Sequence, residues 1–129
     1  MHTILDSSGI IGIELAKILP NHTDKIRLVS RNPKIVNGKD ELFPCYLTNL
    51  DQVKEALKGS DVAYLTVGLD YNLKVWEELW PEIMTNVIEG CKYNDCKLVF
   101  FDNVYMYDEN QLPGFSCPLP FSWFHFFYN

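Results

Sequence analysis

Short apolar runs alternate with stretches of helical spacing along the first hundred residues of this chain. The first run, residues 3–5, ends in the turn-forming segment from Asp6 to Gly9, and helical spacing begins at Ile10. Pro20 and Asn21 stop that helix, and residues 25–30 are predicted to form a second strand. This order predicts a βαβ unit, in which two parallel strands are joined by a right-handed crossover.

The apolar residues of the first helix fall on two adjacent stripes, at the three- and four-residue spacing of an α-helix. One stripe is Ile11, Leu15 and Ile18, and beside it lie Gly12, Ala16 and Leu19.

The same alternation predicts a third strand and a second helix. The strand is predicted between Leu42 and Leu47. Asn49 is predicted to cap the helix, with Gln52 three residues later as in a capping box, and Gly59 to end it. The apolar face of this helix is Leu50, Val53, Ala56 and Leu57.

Residues 61–67 are nearly all apolar, as in a strand buried on both faces of a parallel sheet. A long helical pattern follows from Leu73 to Cys91, in which Pro81 either kinks the helix or opens a second one. Residues 97–101 are predicted to be a fifth strand. The expected fold is an α/β, doubly wound parallel sheet, a Rossmann-like three-layer sandwich that is truncated after about five strands.

The composition excludes several classes of function. The 129 residues suit one domain, and a net charge of −6 disfavours nucleic-acid binding, because there is no basic patch. No secretory signal and no eighteen-residue apolar stretch are present, so we expect a cytoplasmic protein without a membrane span. The four cysteines lack paired CxxC spacing, which favours reduced thiols over a zinc site.

The last nineteen residues break the pattern. Residues 111–129 carry no charge, contain seven of the eighteen aromatic residues, and include three prolines that prevent a regular helix. We therefore divide the chain into a domain of residues 1–109 and an aromatic tail of residues 110–129. This tail could lie on the sheet edge, insert into a membrane interface, mediate self-association, or be unselected sequence translated past a frameshift or truncation.

The turn between the first strand and the first helix is where this kind of domain places a phosphate. Such a turn needs glycine so that the backbone can approach a pyrophosphate, and the helix N-terminus offers unpaired N–H groups. Gly9 and Gly12 supply two glycines, three residues apart. The pattern alone fits both a phosphate site and a purely structural turn.

More specifically, residues 2–109 resemble the N-terminal part of an extended short-chain dehydrogenase/reductase, the NAD(P)-dependent epimerase/dehydratase family. The last two glycines of that family's Gly-x-x-Gly-x-x-Gly turn fall on Gly9 and Gly12. The segments 28–31, 59–62 and 100–107 are also similar to the family. The resemblance implies an NADP (or NAD) cofactor. The residues that it places at the cofactor are Ser8, Gly9, Ile11, Gly12, Arg31, Leu47, Val67 and Gly68.

At three positions the chain differs from the family pattern or from its NAD-dependent members. Asp6 stands where the family has its first turn glycine, and its carboxylate either repels a pyrophosphate, by about 4 kcal/mol per charge pair at 4 Å, or caps the helix itself. Arg31 stands where NAD-dependent members carry an acidic residue, which favours the 2′-phosphate of NADP. Tyr46 replaces the family's adenine-contacting aspartate.

The catalytic residues of the family are not reproduced. Asn103 is at the Ser/Thr position when Met106-Tyr107 is aligned with the family's Val-Tyr, and no Tyr-x-x-x-Lys pair follows the fifth strand. Three hypotheses follow: a catalytically incomplete NAD(P)-binding domain, an interaction module that uses the aromatic tail, or a non-functional truncated or frameshifted copy of a full-length oxidoreductase or epimerase.

Overall fold

Five parallel strands form one sheet in a computed structural model of the chain, which describes residues 1–69 and 72–101. The sheet order is β3-β2-β1-β4-β5, and every neighbouring pair is parallel. This is the strand order of the doubly wound fold, so the predicted fold class is confirmed. The strands are β1 (His2–Leu5), β2 (Ile26–Ser30), β3 (Glu41–Pro44), β4 (Val62–Leu65) and β5 (Lys97–Phe100).

Helices cover both faces of this sheet because neighbouring residues of a strand point to opposite sides. On one face, Ile4 and Leu28 pack with residues of the first helix. On the other, Leu5, Val29 and Leu65 pack with the second and third helices. The helices are α1 (Ile10–Ile18), followed by a short 3-10 helix (Leu19–Asn21), α2 (Leu50–Ala56) and α3 (Leu73–Tyr93).

Only one of the two apolar stripes of α1 is buried. Ala16 and Leu19 are buried together with Gly12, whereas Ile11 and Ile18 are 50% and 55% exposed. A Cβ atom on Gly12 would lie 2.8 Å from the carbonyl oxygen of Asp6. This close approach of helix and turn fixes the rotation of α1 and leaves the first stripe half in solvent.

The predicted cap of α2 is confirmed, with one correction to the capping box, whereas the helix ends at Ala56, three residues before the predicted stop at Gly59. The Asn49 side chain accepts a hydrogen bond from the Gln52 N–H at 3.1 Å, and Gly59 has a φ of 75°. The capping box is wrong in its second half, because the Gln52 side chain accepts from the Tyr46 N–H at 2.8 Å. The Asn49 N–H is already bonded to the Tyr46 carbonyl at 2.9 Å, so it does not need Gln52.

The long third helix runs through Pro81 without ending, so the alternative of two separate helices is wrong. Proline has no N–H to give to the carbonyl four residues earlier. That carbonyl belongs to Glu77, an exposed residue on the solvent side of the helix, where water can satisfy it. The Thr85 hydroxyl donates to the Pro81 carbonyl oxygen at 2.7 Å.

Two strands are shorter than the sequence predicts. β3 ends at Pro44 and not at Leu47, although the next N–H, that of Cys45, still donates to the Ser30 carbonyl oxygen of β2 at 2.9 Å. β4 ends at Leu65 because the Thr66 hydroxyl bonds the carbonyl oxygens of Leu5 and Asp6, at 3.0 and 3.1 Å.

The aromatic tail, and with it the predicted boundary at residues 109/110, lies outside the described residues. Within residues 1–69 and 72–101, no helix is long and apolar enough to cross a bilayer.

Candidate dinucleotide site

The carboxyl ends of β1, β2 and β4 meet at one edge of the sheet. Leu5 is paired with Val29 on one side and with Leu65 on the other. The chain winds outward in opposite directions from β1 and β4, so this edge contains the topological switch point at which open α/β sheets bind ligands. The loops that follow these strands are therefore the place to look for a site.

All eight residues that the sequence assigned to a cofactor follow strands at this carboxyl edge. Leu47 and Val67 also pack against the apolar cluster of α2 and α3, so their side chains belong to the core. Ser8, Gly9, Ile11 and Gly12 follow β1, Arg31 follows β2, Leu47 follows β3, and Val67 and Gly68 follow β4.

Gly9 has no conformational or packing reason to be glycine. It is the N-cap of α1, with φ −77° and ψ 164°, which any residue adopts. A Cβ atom there would meet only the Asp6 carbonyl oxygen, at 4.0 Å, an ordinary contact. The missing side chain therefore leaves open space over the helix N-terminus, where backbone N–H groups lack intrahelical partners. This space fits the close approach of a phosphate.

The serines beside Gly9 hold the turn against β2. The Ser8 hydroxyl donates to the Ser30 hydroxyl at 2.8 Å, and the Ser30 oxygen also accepts from the Asn32 N–H at 3.2 Å. Ser7 is 4% exposed, and its hydroxyl finds no hydrogen-bond partner among the described residues. The turn thus combines one serine engaged in the fold with one buried, unpaired hydroxyl.

Asp6 bridges the turn after β1 and the segment after β4. Its φ is 65°, a conformation that aspartate tolerates, and its carboxylate accepts a hydrogen bond from the Gly68 N–H. Burial raises the pKa of Asp6, against the opposing effects of that hydrogen bond and of the Arg31 charge. The N-cap of α1 is Gly9 and not Asp6, so the alternative in which Asp6 caps this helix is wrong.

A cationic and an aromatic group follow the two strands that lie on one side of β1. Arg31 is exposed directly after β2, and its charge acts on Asp6. Tyr46 is exposed after β3. Sequence reasoning missed that Asp6 and Arg31 would interact, because no spacing rule relates two loops that follow different strands.

The catalytic part of the family cannot be placed at this edge. Asn103 lies outside the described residues. One Tyr-x-x-x-Lys spacing does occur in the chain, from Tyr93 to Lys97, and the sequence reasoning overlooked it because it precedes the fifth strand. It spans the end of α3 and the start of β5, at the amino edge of the sheet, opposite Gly9. This pair therefore does not face the candidate site.

No protein-family model matches this chain, and no curated protein matches its sequence. Solved structures do match its fold. Uronate dehydrogenase from Agrobacterium tumefaciens aligns with a TM-score of 0.70 at 19% identity, over 79% of this chain and 40% of that one. A mutant of that enzyme was solved in complex with NAD.

Two further structures are similar in the same way. A Rossmann-fold NAD(P)-binding family protein from Shigella flexneri gives a TM-score of 0.67 at 22% identity, over 83% of this chain and 53% of its own. A short-chain dehydrogenase/reductase from Veillonella parvula gives 0.56 at 18%, over 77% and 45%. The chain is thus a Rossmann-like α/β domain that spans about half or less of the length of these dehydrogenase-like structures.

Proposed function

We propose that this chain is an NAD(P)-binding Rossmann domain of the short-chain dehydrogenase/reductase type, similar to the N-terminal part of an epimerase/dehydratase and catalytically incomplete. The observation that carries the proposal is Gly9, a glycine that the fold does not require at the N-terminus of the helix after β1. The bound NAD of a structural neighbour supports this class of ligand. We further propose a cytoplasmic location.

In this proposal the pyrophosphate lies over Gly9, where the N–H groups at the start of α1 hold its charge. Ser8 and Ile11 border the turn, Gly12 brings the helix against it, and Gly68 would lie at the nicotinamide-side ribose, as the resemblance to the family implies. Bound NAD(P) supplies hydride chemistry. This chain's own residues bind and orient it, and no Tyr-x-x-x-Lys pair follows β5 to move a proton.

The proposed preference is for NADP. Arg31 places a guanidinium at the end of β2, where a 2′-phosphate would lie, and neither of its neighbours in the sequence is an acidic residue that could bond the ribose hydroxyls. The charge of Asp6 opposes any bound anion, so we expect affinity in the micromolar range.

The test compares NADP and NAD binding by titration calorimetry for the natural chain, Gly9→Ala and Arg31→Ala. Gly9→Ala should weaken both cofactors by about tenfold or more while leaving stability unchanged, and Arg31→Ala should weaken NADP alone. Equal binding by the natural chain and Gly9→Ala would overturn the placement of the pyrophosphate. Lys34→Ala, an exposed change in the same loop as Arg31, is the matched control.

Self-association through residues 110–129 is a second candidate function. The observation that favours it is β5, an edge strand in the described sheet whose Val99 side chain is 40% exposed. Deleting residues 110–129 should then convert oligomers to monomers in sedimentation velocity. Monomers both before and after the deletion would exclude this role.

A further inference from the structure

Two cysteines come together at the far end of the molecule, at the amino edge of the sheet. Cys91 is in the last turn of α3 and is 5% exposed, and Cys96 lies just before β5 and is partly exposed. Between them the chain reverses through Asp95, whose φ is 52°. The Cys96 N–H donates to the Cys91 carbonyl oxygen at 2.9 Å, which closes the turn onto the helix end.

The two thiol groups lie close enough to shift each other's ionisation. The neighbouring Cys91 thiol lowers the pKa of Cys96, and Cys96 together with burial raises the pKa of Cys91. The Cys96 thiol itself donates to the Lys97 carbonyl oxygen at 3.6 Å. The two sulfurs are therefore unequal: Cys96 is the better thiolate and is open to solvent, and Cys91 is the buried partner behind it. This is the arrangement of an attacking cysteine with a resolving cysteine.

We propose that Cys91 and Cys96 are a dithiol/disulfide redox pair, oxidised by a peroxide to a disulfide that joins the end of α3 to the start of β5. In the first step, the Cys96 thiolate attacks one peroxide oxygen, the O–O bond breaks, and Cys96 becomes a sulfenic acid as water leaves. In the second, the Cys91 sulfur attacks the Cys96 sulfur, loses its proton, and expels the hydroxyl group as a second water. Two thiols and one hydrogen peroxide give one disulfide and two waters, and the two sulfurs together lose two electrons.

The geometry favours this pair over any other among the described cysteines. A disulfide requires two nearby backbones, and the 2.9 Å hydrogen bond between Cys96 and Cys91 holds theirs together. Cys45 is 2% exposed, and burial raises its pKa to about 11, so it should resist oxidation. The pair lies at the edge opposite Gly9, so the disulfide does not depend on whether the chain binds a dinucleotide.

The test uses the full chain, treated with an equimolar amount of hydrogen peroxide and digested with trypsin without reduction. Trypsin cleaves after Lys92, between the two cysteines, so a disulfide leaves peptides 75–92 and 93–97 linked, with two hydrogen atoms fewer than the separate peptides. We expect the linked species to form under peroxide and to disappear with a dithiol reductant.

Two variants make the result specific. Cys96→Ser should abolish the linked peptides, and Cys45→Ser, a control at a buried thiol outside the pair, should leave their yield unchanged. Circular dichroism shows whether each variant is folded. Persistence of both free thiols, over-oxidation of Cys96 without a link, or pairing of Cys96 with Cys117 would each overturn the proposal.

Discussion

The Cα of Gly12 faces the turn after β1 so closely that an added Cβ atom would lie 2.8 Å from the Asp6 carbonyl oxygen and 2.9 Å from the Ser7 Cα. These neighbours are backbone atoms, which cannot move aside as a side chain can. The contact ties the start of α1 to the loop that carries Asp6. It therefore links the packing of the fold to the geometry of the candidate site.

Gly12→Ala should destabilise the chain, because the turn or the helix must shift to admit the methyl group. We expect a loss of about 1–3 kcal/mol in the free energy of unfolding, measured by urea denaturation. Gly9→Ala is the matched control, since its Cβ atom meets nothing closer than 4.0 Å. Equal stability of the two variants would contradict the close packing of the turn.

Asp6→Asn should stabilise the chain at neutral pH. The pKa of Asp6 is raised above its ordinary value of 3.8, chiefly by burial. As pH rises past 3.8, the unfolded chain releases this proton before the folded chain does, so the free energy of unfolding falls until the folded pKa is passed. Asparagine tolerates the same positive φ, can accept from Gly68, and carries no charge to lose.

The gain from Asp6→Asn should therefore be larger at pH 7 than at pH 3, as measured by thermal unfolding in buffers of equal ionic strength. Asp95→Asn is the control, because Asp95 also has a positive φ but is exposed. A gain of the same size at both pH values would show that ionisation of Asp6 is not its cause.

Arg27→Met should destabilise the amino edge of the sheet. The buried guanidinium donates to the Ala56 and Lys58 carbonyl oxygens, at 2.6 and 3.0 Å, and pairs with Glu41 at 2.9 Å. Removing it leaves carbonyls at the end of α2 without a donor, which costs about 1–3 kcal/mol. Lys25→Met, an exposed change beside β2, is the control. If neither variant changed the denaturation midpoint, the stabilising role of Arg27 would be refuted.

Gly59→Ala should cost about 1–2 kcal/mol, because φ at this position is 75° and an L-residue there is strained. The surrounding space is not limiting, since the nearest atom is the Met1 methyl carbon at 3.7 Å. Gly38→Ala is the control. An added Cβ atom there would meet no atom within 4 Å, so the free energy of unfolding should not fall. Chemical denaturation of the two variants separates backbone strain from crowding.

The sequence was sufficient for the features that depend on local chemistry. The turn residues between apolar runs located the five strands of the described sheet, Asn49 was recognisable as a cap, and Gly59 as the glycine of the turn after α2. The parallel sheet was expected because strands that alternate with helices are joined by right-handed crossovers. Strand ends were not predicted, since β3 ends at Pro44 and β4 at Leu65 while apolar residues continue to Leu47 and Val67.

Features that depend on contacts between distant segments were not predictable. In the sequence, the stripe of Ile11 and Ile18 is as apolar as the stripe that is buried. The close approach of Gly12 to Asp6 sets which of the two stripes faces the sheet. The bond from the Gly68 N–H to the Asp6 carboxylate joins loops 62 residues apart. The contact between Cys91 and Cys96 depends on how the chain turns at Asp95.

The most direct test of the central proposal is calorimetric titration of the natural chain with NADP and NAD at low salt. We predict binding of NADP in the micromolar range and weaker binding of NAD, because we propose that Arg31 pairs with the 2′-phosphate. Absence of heat, together with no shift in unfolding temperature at millimolar concentrations of either cofactor, would contradict the proposal that this domain binds a dinucleotide.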